Sequence, residues 1–137
     1  MSAQKSKAAV EKDAALEQVQ KAYNVLMENY QQGNYKITSE IYSPNCVILG
    51  PDITPVKGRE GAAKYWQQLK EQLGITRIQI RCDEFNGCGD WFFERGAYQL
   101  FGKEDLLIQT RRYVKVWRKW EGQMGIYTYM YQILPKK

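Results

Sequence analysis

The residues best suited to chemistry lie in the second half of the chain, where aromatic and cationic side chains alternate at strand spacing. Side chains of a strand point alternately to its two faces, and a three-residue hairpin loop pairs positions of equal parity. Such loops are indicated at residues 102–104 and 121–123. With that register, one face of a sheet presents the odd-numbered side chains Trp91, Phe93, Arg95, Arg111, Tyr113, Lys115, Tyr127, Tyr129 and Tyr131.

This face predicts a binding site for a small, flat anion. Aromatic rings attract cations, and the guanidinium group of arginine pairs with a carboxylate or a phosphate through two parallel hydrogen bonds. The odd positions of these three strands carry no Asp or Glu, so the cations lack an acidic neighbour on their own face. We therefore expect non-catalytic binding of a small anionic or aromatic ligand.

Three other interpretations remain open for the same residues. The aromatic face can be a packed core, with Arg95 and Arg111 at its rim. It can also serve homodimerisation, as a scaffold module would require. A small enzyme of the isomerase, cyclase or hydrolase type is the remaining alternative, and the weak candidate for its base is Asp52, directly after Gly50 and Pro51.

Glu94 is the one acidic residue among apolar neighbours in these strands. With the register above it lies on the even face, where it could oppose Arg112 across the hairpin. We interpret it as half of a structural ion pair rather than as a catalytic acid.

The absence of histidine narrows the chemistry that the chain can perform. It removes the usual general base at neutral pH, the histidine-activated nucleophiles and the commonest metal ligand. The three cysteines, Cys46, Cys82 and Cys88, are odd in number and have no metal-site spacing. This pattern predicts reduced thiols in the cytoplasm, and neither a metal nor a cofactor is expected.

The positive charge is concentrated near the C-terminus. Residues 103–137 hold eight basic and three acidic side chains, which accounts for the net charge of +5. We interpret this excess as a solvated face rather than a nucleic-acid surface. No apolar run approaches the ~18 residues of a membrane span, and the N-terminus has no apolar segment typical of secretion.

Hydrophobic spacing predicts helices first and a sheet afterwards, an α+β arrangement. We expect a flexible polar tail over residues 1–10 and a single domain over residues 11–134. A long helix should end near Gly33, a short helix should follow, and a third should begin at Gly58. Strands are expected near residues 46–49, 75–84, 91–101, 106–119 and 124–133.

The order of these elements resembles that of the NTF2-like superfamily, which includes SnoaL-like and DUF4440-type domains. The opening half carries Gly33-Asn34, the buried strand ending in Gly50-Pro51, and Val56-Lys57-Gly58-Arg59-Glu60-Gly61 before a helix. The end carries Tyr113-Val114-Lys115-Val116-Trp117 followed by Gly122 and Ile126. The resemblance implies three N-terminal helices packed on a curved antiparallel sheet that forms a cone, a pocket on the odd face, and homodimers that pair through their sheets.

The resemblance also argues against steroid isomerisation. The ketosteroid isomerases of this superfamily use a carboxylate base and an oxyanion site made by a tyrosine and a protonated aspartic acid. Those three positions match Gly50, Leu26 and Tyr113 of this sequence, and none keeps its role. We therefore do not expect this chemistry.

Overall fold

A computed structural model describes residues 5–135, and within this range helices precede most of the sheet. The helices are α1 (Lys7–Gln31), α2 (Tyr35–Thr38) and α3 (Gly58–Leu73), and the strands are β1 (Tyr42–Leu49), β2 (Val56–Lys57), β3 (Arg77–Cys88), β4 (Trp91–Phe101), β5 (Leu107–Trp120) and β6 (Gln123–Ile133). Short 3₁₀ turns occupy Ser39–Ile41 and Lys103–Asp105. The α+β prediction is confirmed.

The strands form one six-stranded sheet in the order β2-β1-β6-β5-β4-β3. Its pairs are antiparallel except for β1 and β6, which run parallel, so the predicted antiparallel sheet is mixed at this one pair. A hairpin turn forces antiparallel pairing only on strands that it joins directly. Because most of the domain separates β1 from β6, no turn determines their relative direction.

The first helix begins earlier than its apolar spacing indicates. The predicted tail over residues 1–10 is wrong at its boundary, because α1 begins at Lys7. Ser6 is the cap: its hydroxyl accepts a hydrogen bond from the Ala9 amide at 3.1 Å, which satisfies a donor that the first turn leaves free. Residues 1–4 of the predicted tail lie outside the described residues.

The hairpin between β4 and β5 does not pair residues of equal parity. Glu104 and Asp105 both adopt positive φ in its connection, and the register shifts by one residue beside Leu100. Even-numbered residues of β4 therefore share a face with odd-numbered residues of β5. This places Trp91, Phe93 and Arg95 on the opposite face from Arg111, Tyr113 and Lys115, so the predicted grouping is wrong.

A bulge at Tyr127 changes parity again between β5 and β6. The turn at Glu121 and Gly122 is one residue shorter than predicted, since Trp120 already pairs with Gln123. Beyond the bulge, odd residues of both strands face each other, and Tyr129 and Tyr131 lie opposite Lys115 and Tyr113. Tyr127 itself leaves this face.

Helices α1 and α3 cover one side of the sheet, which we call the inner face; the other side is the outer face. Val19 and Leu26 of α1 and Trp66 of α3 are buried against it. Trp66 lies parallel to the ring of Tyr129, with the ring centroids 6.5 Å apart. Within residues 5–135, no helix combines the length and the apolar character that a membrane crossing needs.

Candidate functional site

The centre of the inner face holds a fully buried carboxylate, Glu94 of β4. Three donors from two neighbouring elements converge on it. Tyr113 of β5 donates its hydroxyl at 2.5 Å, Trp117 of β5 donates Nε1 at 2.9 Å, and Tyr23 of α1 donates its hydroxyl to the same oxygen as Trp117. Several hydrogen bonds to a carboxylate offset the cost of removing its charge from water.

Lys115 of β5 pairs with Glu94 in the strand register and is also fully buried. Its Nζ donates to the hydroxyl of Tyr23 at 2.7 Å and to that of Tyr98. It forms no ion pair with any carboxylate of residues 5–135. Tyr23 therefore bridges the two charged groups, accepting from the amine and donating to Glu94.

Four tyrosine rings enclose the Lys115 amine. Their centroids lie 4.3 to 5.3 Å from Nζ and belong to Tyr23, Tyr98, Tyr113 and Tyr129. Burial lowers the pKa of Lys115 to about 7, although the charge of Glu94 opposes this change. Burial also raises the pKa of Tyr23 and Tyr98, so both hydroxyls stay protonated at neutral pH.

Arg111 forms a second buried cation on the inner face, four residues before Lys115 in β5. Its side chain is 2% exposed, and its guanidinium carbon lies 4.2 Å from the ring centroid of Tyr131. Nε donates to Gln109 Oε1 at 2.5 Å and Nη1 donates to the Tyr65 hydroxyl. Both partners are neutral, and no carboxylate of the described chain pairs with this guanidinium.

Tyr129 of β6 lies beside Arg111 with an unsatisfied hydroxyl. The residue is fully buried, and its hydroxyl has no hydrogen-bond partner among the described residues. Burial raises the pKa of Tyr129, and the positive charge of Arg111 opposes that rise. A buried polar atom without a partner costs free energy, so this position favours a further polar group.

The structure brings together five of the nine predicted binding residues. Arg111, Tyr113, Lys115, Tyr129 and Tyr131 lie on the inner face, whereas Trp91, Phe93, Arg95 and Tyr127 lie outside it. Arg95 is exposed and pairs with Glu84 at 2.6 Å, and Trp91 packs edge-on against Tyr127. These four residues therefore do not line the same site as the buried cations.

The predicted site lacked four residues of the observed arrangement: Glu94, Tyr98, Tyr23 and Trp117. The predicted ion pair between Glu94 and Arg112 is wrong, because Arg112 pairs with Ala97 in the register. The sequence offered one sign that Glu94 belongs to the site: it is an acidic residue among apolar neighbours. Its alignment with Lys115 depends on the shift beside Leu100, which the local sequence does not reveal.

Asp52, the predicted candidate for a catalytic base, differs from these buried residues in its environment. It is exposed in the turn after β1 and adopts a φ of 59°. At Gly50, two residues before Asp52, an added Cβ would lie 2.3 Å from Cζ of Tyr131. The ring of Tyr131 thus occupies the space into which a side chain at position 50 would project.

Four cavities have described linings, and the volumes of two of them are about 290 Å³ beside Arg59 and Arg118 and about 450 Å³ beside Lys36 and Arg59. None of the four is lined by Glu94, Lys115 or Arg111. Among residues 5–135, no cluster of three His, Cys, Asp or Glu side chains could hold a metal ion.

No family model and no curated protein sequence matches this chain. Solved structures do match it. An NTF2-like protein with a cystatin-like fold from Novosphingobium aromaticivorans is 10% identical, with a TM-score of 0.76 over 94% of this chain and 88% of its own. A ketosteroid isomerase-like protein from Erwinia carotovora atroseptica is 16% identical, with a TM-score of 0.70 over 88% of this chain and 97% of its own. The chain has the NTF2-like fold.

A third similar solved structure is a putative calcium/calmodulin-dependent protein kinase type II association domain from Thiobacillus denitrificans. It is 14% identical, with a TM-score of 0.69 over 85% of this chain and 94% of its own. The resemblance read from the sequence is thus confirmed for the fold. At these identities the likeness carries no activity over to this chain.

Proposed function

We propose that this NTF2-like protein binds a small, flat carboxylate through Arg111, without catalysing a reaction. The observation that carries the proposal is a buried guanidinium whose partners, Gln109 and Tyr65, are both neutral. A buried charge costs free energy unless an opposite charge accompanies it. A ligand carboxylate would supply that charge.

The donors around Arg111 suit a carboxylate. A guanidinium has five N–H donors, and the two hydrogen bonds of Arg111 leave others for a two-pronged contact with an anion. The unsatisfied hydroxyl of Tyr129 adds a neutral donor. The rings of Tyr65 and Tyr131 beside the guanidinium offer aromatic surface to a ligand, and the half-buried Gln109 places this end of the inner face near the surface.

Position 50 supports binding rather than catalysis. In the ketosteroid isomerases that the sequence resembles, this position carries the base, and here it is glycine. Because the ring of Tyr131 occupies the adjoining space, a carboxylate at position 50 would not fit without displacing that ring. Tyr113 donates to Glu94 and is not free to stabilise an oxyanion.

We expect benzoate to stabilise the protein against heat and its neutral isostere benzamide to leave the melting temperature unchanged. A ligand present at 100 times its Kd adds about 2.7 kcal/mol to the free energy of unfolding. Thermal unfolding with each compound measures the difference. Arg111→Met should abolish the benzoate shift, because it keeps the length of the side chain and removes the charge.

The matched control for this experiment is Arg112→Met. Arg112 is the next residue in β5, but it lies on the outer face, so its replacement should leave the benzoate shift intact. Equal shifts from benzoate and benzamide, no shift from either, or an undiminished shift in Arg111→Met would each contradict the proposal.

A second candidate function, homodimerisation, is favoured by the outer face. Four large apolar side chains there are 41 to 48% exposed: Trp91, Phe93, Val114 and Met130. Val114 of β5 pairs with Met130 of β6, and Phe93 of β4 pairs with Val116, so these side chains lie on neighbouring strands of the outer face. Contiguous exposed apolar patches mark interaction surfaces. We propose that a second copy of this chain covers the apolar surface of the outer face.

Val114→Glu should convert the dimer to a monomer, because it places a charge at the centre of the apolar surface. Sedimentation velocity or light scattering after gel filtration reports the mass. Leu106→Glu is the control, since Leu106 is 64% exposed in the connection between β4 and β5. A wild-type protein that is monomeric at high micromolar concentration would rule this candidate out.

A further inference from the structure

The Lys115 amine lies in an enclosed environment that has no role in carboxylate binding at Arg111. Nζ is held by two tyrosine hydroxyls inside a ring of aromatic faces, and no described carboxylate pairs with it directly. Apolar surroundings of this kind are how proteins activate lysine as a nucleophile, since they favour the neutral amine.

A continuous hydrogen-bonded path leads from this amine to a proton acceptor. Lys115 donates to the Tyr23 hydroxyl at 2.7 Å, and that hydroxyl donates onward to Glu94. A proton released at Nζ can therefore reach the carboxylate by two short transfers through Tyr23, without solvent. Any reaction that removes protons from the amine could use this path.

We infer that Lys115 captures a carbonyl group as an imine, and that the compound captured is an oxo acid whose carboxylate pairs with Arg111. The second half of this inference rests on the proposed function. Arg111 and Lys115 point to the same face four residues apart, a distance along β5 of ~13 Å at ~3.3 Å per residue. A benzene ring between carboxylate and carbonyl gives a rigid probe that spans part of this separation.

Imine formation needs only the lysine amine and the carbonyl compound, and it releases one water molecule. The neutral amine attacks the carbonyl carbon, a C–N bond forms, and one N–H proton passes to the carbonyl oxygen to give a carbinolamine. The C–O bond then breaks, the oxygen leaves as water with a second proton, and the remaining electron pair of nitrogen completes the C=N bond. Tyr23 and Glu94 move these protons, and hydrolysis reverses every step.

The protonation of the amine supports this chemistry at neutral pH. Burial lowers the pKa of Lys115 to about 7, whereas exposed lysines titrate near ~10.4. The titratable groups that face Lys115 are Tyr23 from α1, Glu94 and Tyr98 from β4, Tyr113 from β5, Tyr129 from β6 and Cys82 from β3. At neutral pH a substantial fraction of this amine is thus ready to react.

The test is imine trapping with 4-formylbenzoate at pH 7. Sodium cyanoborohydride reduces an imine to a stable secondary amine, and peptide mass spectrometry then locates the modified lysine. Because the amine is fully buried, a tyrosine ring must move before capture, and we expect labelling over hours. Lys115 should carry at least tenfold more adduct than Lys119, an exposed lysine of the same strand.

Benzaldehyde serves as the matched probe without a carboxylate. In the wild-type protein 4-formylbenzoate should label Lys115 at least tenfold faster than benzaldehyde, and in Arg111→Met the two rates should become equal. Lys115→Met should lose the site-specific adduct. Because the wild-type labelling site is read directly, the test does not depend on that variant folding.

Each result separates the two proposals. Labelling of Lys115 only after denaturation, or no preference over Lys119, overturns the inference even where benzoate stabilises the protein. Equal labelling by both aldehydes in the wild-type protein overturns the assignment to oxo acids and contradicts the Arg111 site, while imine formation at Lys115 stands.

Discussion

Glu94→Leu is expected to lower the free energy of unfolding by about 3–5 kcal/mol, the usual cost of removing one partner from a buried charged network. The leucine leaves the donors of Tyr23 and Trp117 without an acceptor in the core, while the Tyr113 hydroxyl keeps only the Arg81 carbonyl oxygen at 3.2 Å. It also leaves the Lys115 ammonium with no negative charge nearby. Because these hydrogen bonds belong to one network, losing them together lowers the free energy of unfolding by more than the sum of the single losses.

Urea titration followed by tryptophan fluorescence measures this effect, since Trp117 itself contacts the carboxylate. Glu84→Leu is the matched control: Glu84 pairs with Arg95 at the surface, where such pairs contribute less than about 1 kcal/mol. Glu94→Gln, which keeps one acceptor oxygen, should fall between the two. A Glu94→Leu protein within 1 kcal/mol of the wild type would show that the network adds no net stability.

The stability of the protein should rise with pH between about 7 and 8, and Lys115 is the cause. The pKa of Lys115 is about 7 in the folded protein and ~10.4 in the unfolded chain. Between these values the unfolded chain binds a proton that the folded protein lacks, so raising the pH favours folding. The limiting slope is about 1.4 kcal/mol per pH unit.

Below pH 7 both states carry the proton on Lys115, the cost of burying the charge is fully present, and this slope vanishes. Above pH ~8 the cysteine thiols and then the tyrosines oppose the trend, because burial raises the pKa of Cys46, Cys82 and the tyrosines in the folded protein and the unfolded chain ionises first. Urea titrations from pH 6 to pH 8 therefore report mainly on the lysine. Lys115→Met should flatten the profile, and a flat wild-type profile would mean that the buried amine keeps an ordinary pKa.

Much of the architecture was predictable from local patterns in the sequence. Gly74 ends α3 in the left-handed conformation, Gly33 follows the end of α1, and the alternating stretch after residue 75 forms strands. These features depend on the conformational preferences of a few neighbouring residues, so a single sequence contains them. The start of α1 was missed because a single capping serine, Ser6, determines it.

Strand alternation alone predicts that Arg111, Tyr113 and Lys115 share a face, and that arginine, lysine and tyrosine side chains recur along β5 and β6. Which other residues lie on that face depends on long-range contacts. Side chains alternate with a period of two, so the register shift beside Leu100 and the bulge at Tyr127 each exchange the faces of every residue beyond them. The shift beside Leu100 puts Glu94 on the same face as Lys115 and Arg95 on the other, whereas the bulge sets which residues of β6 share a face with those of β5. Both depend on contacts between residues far apart in the chain.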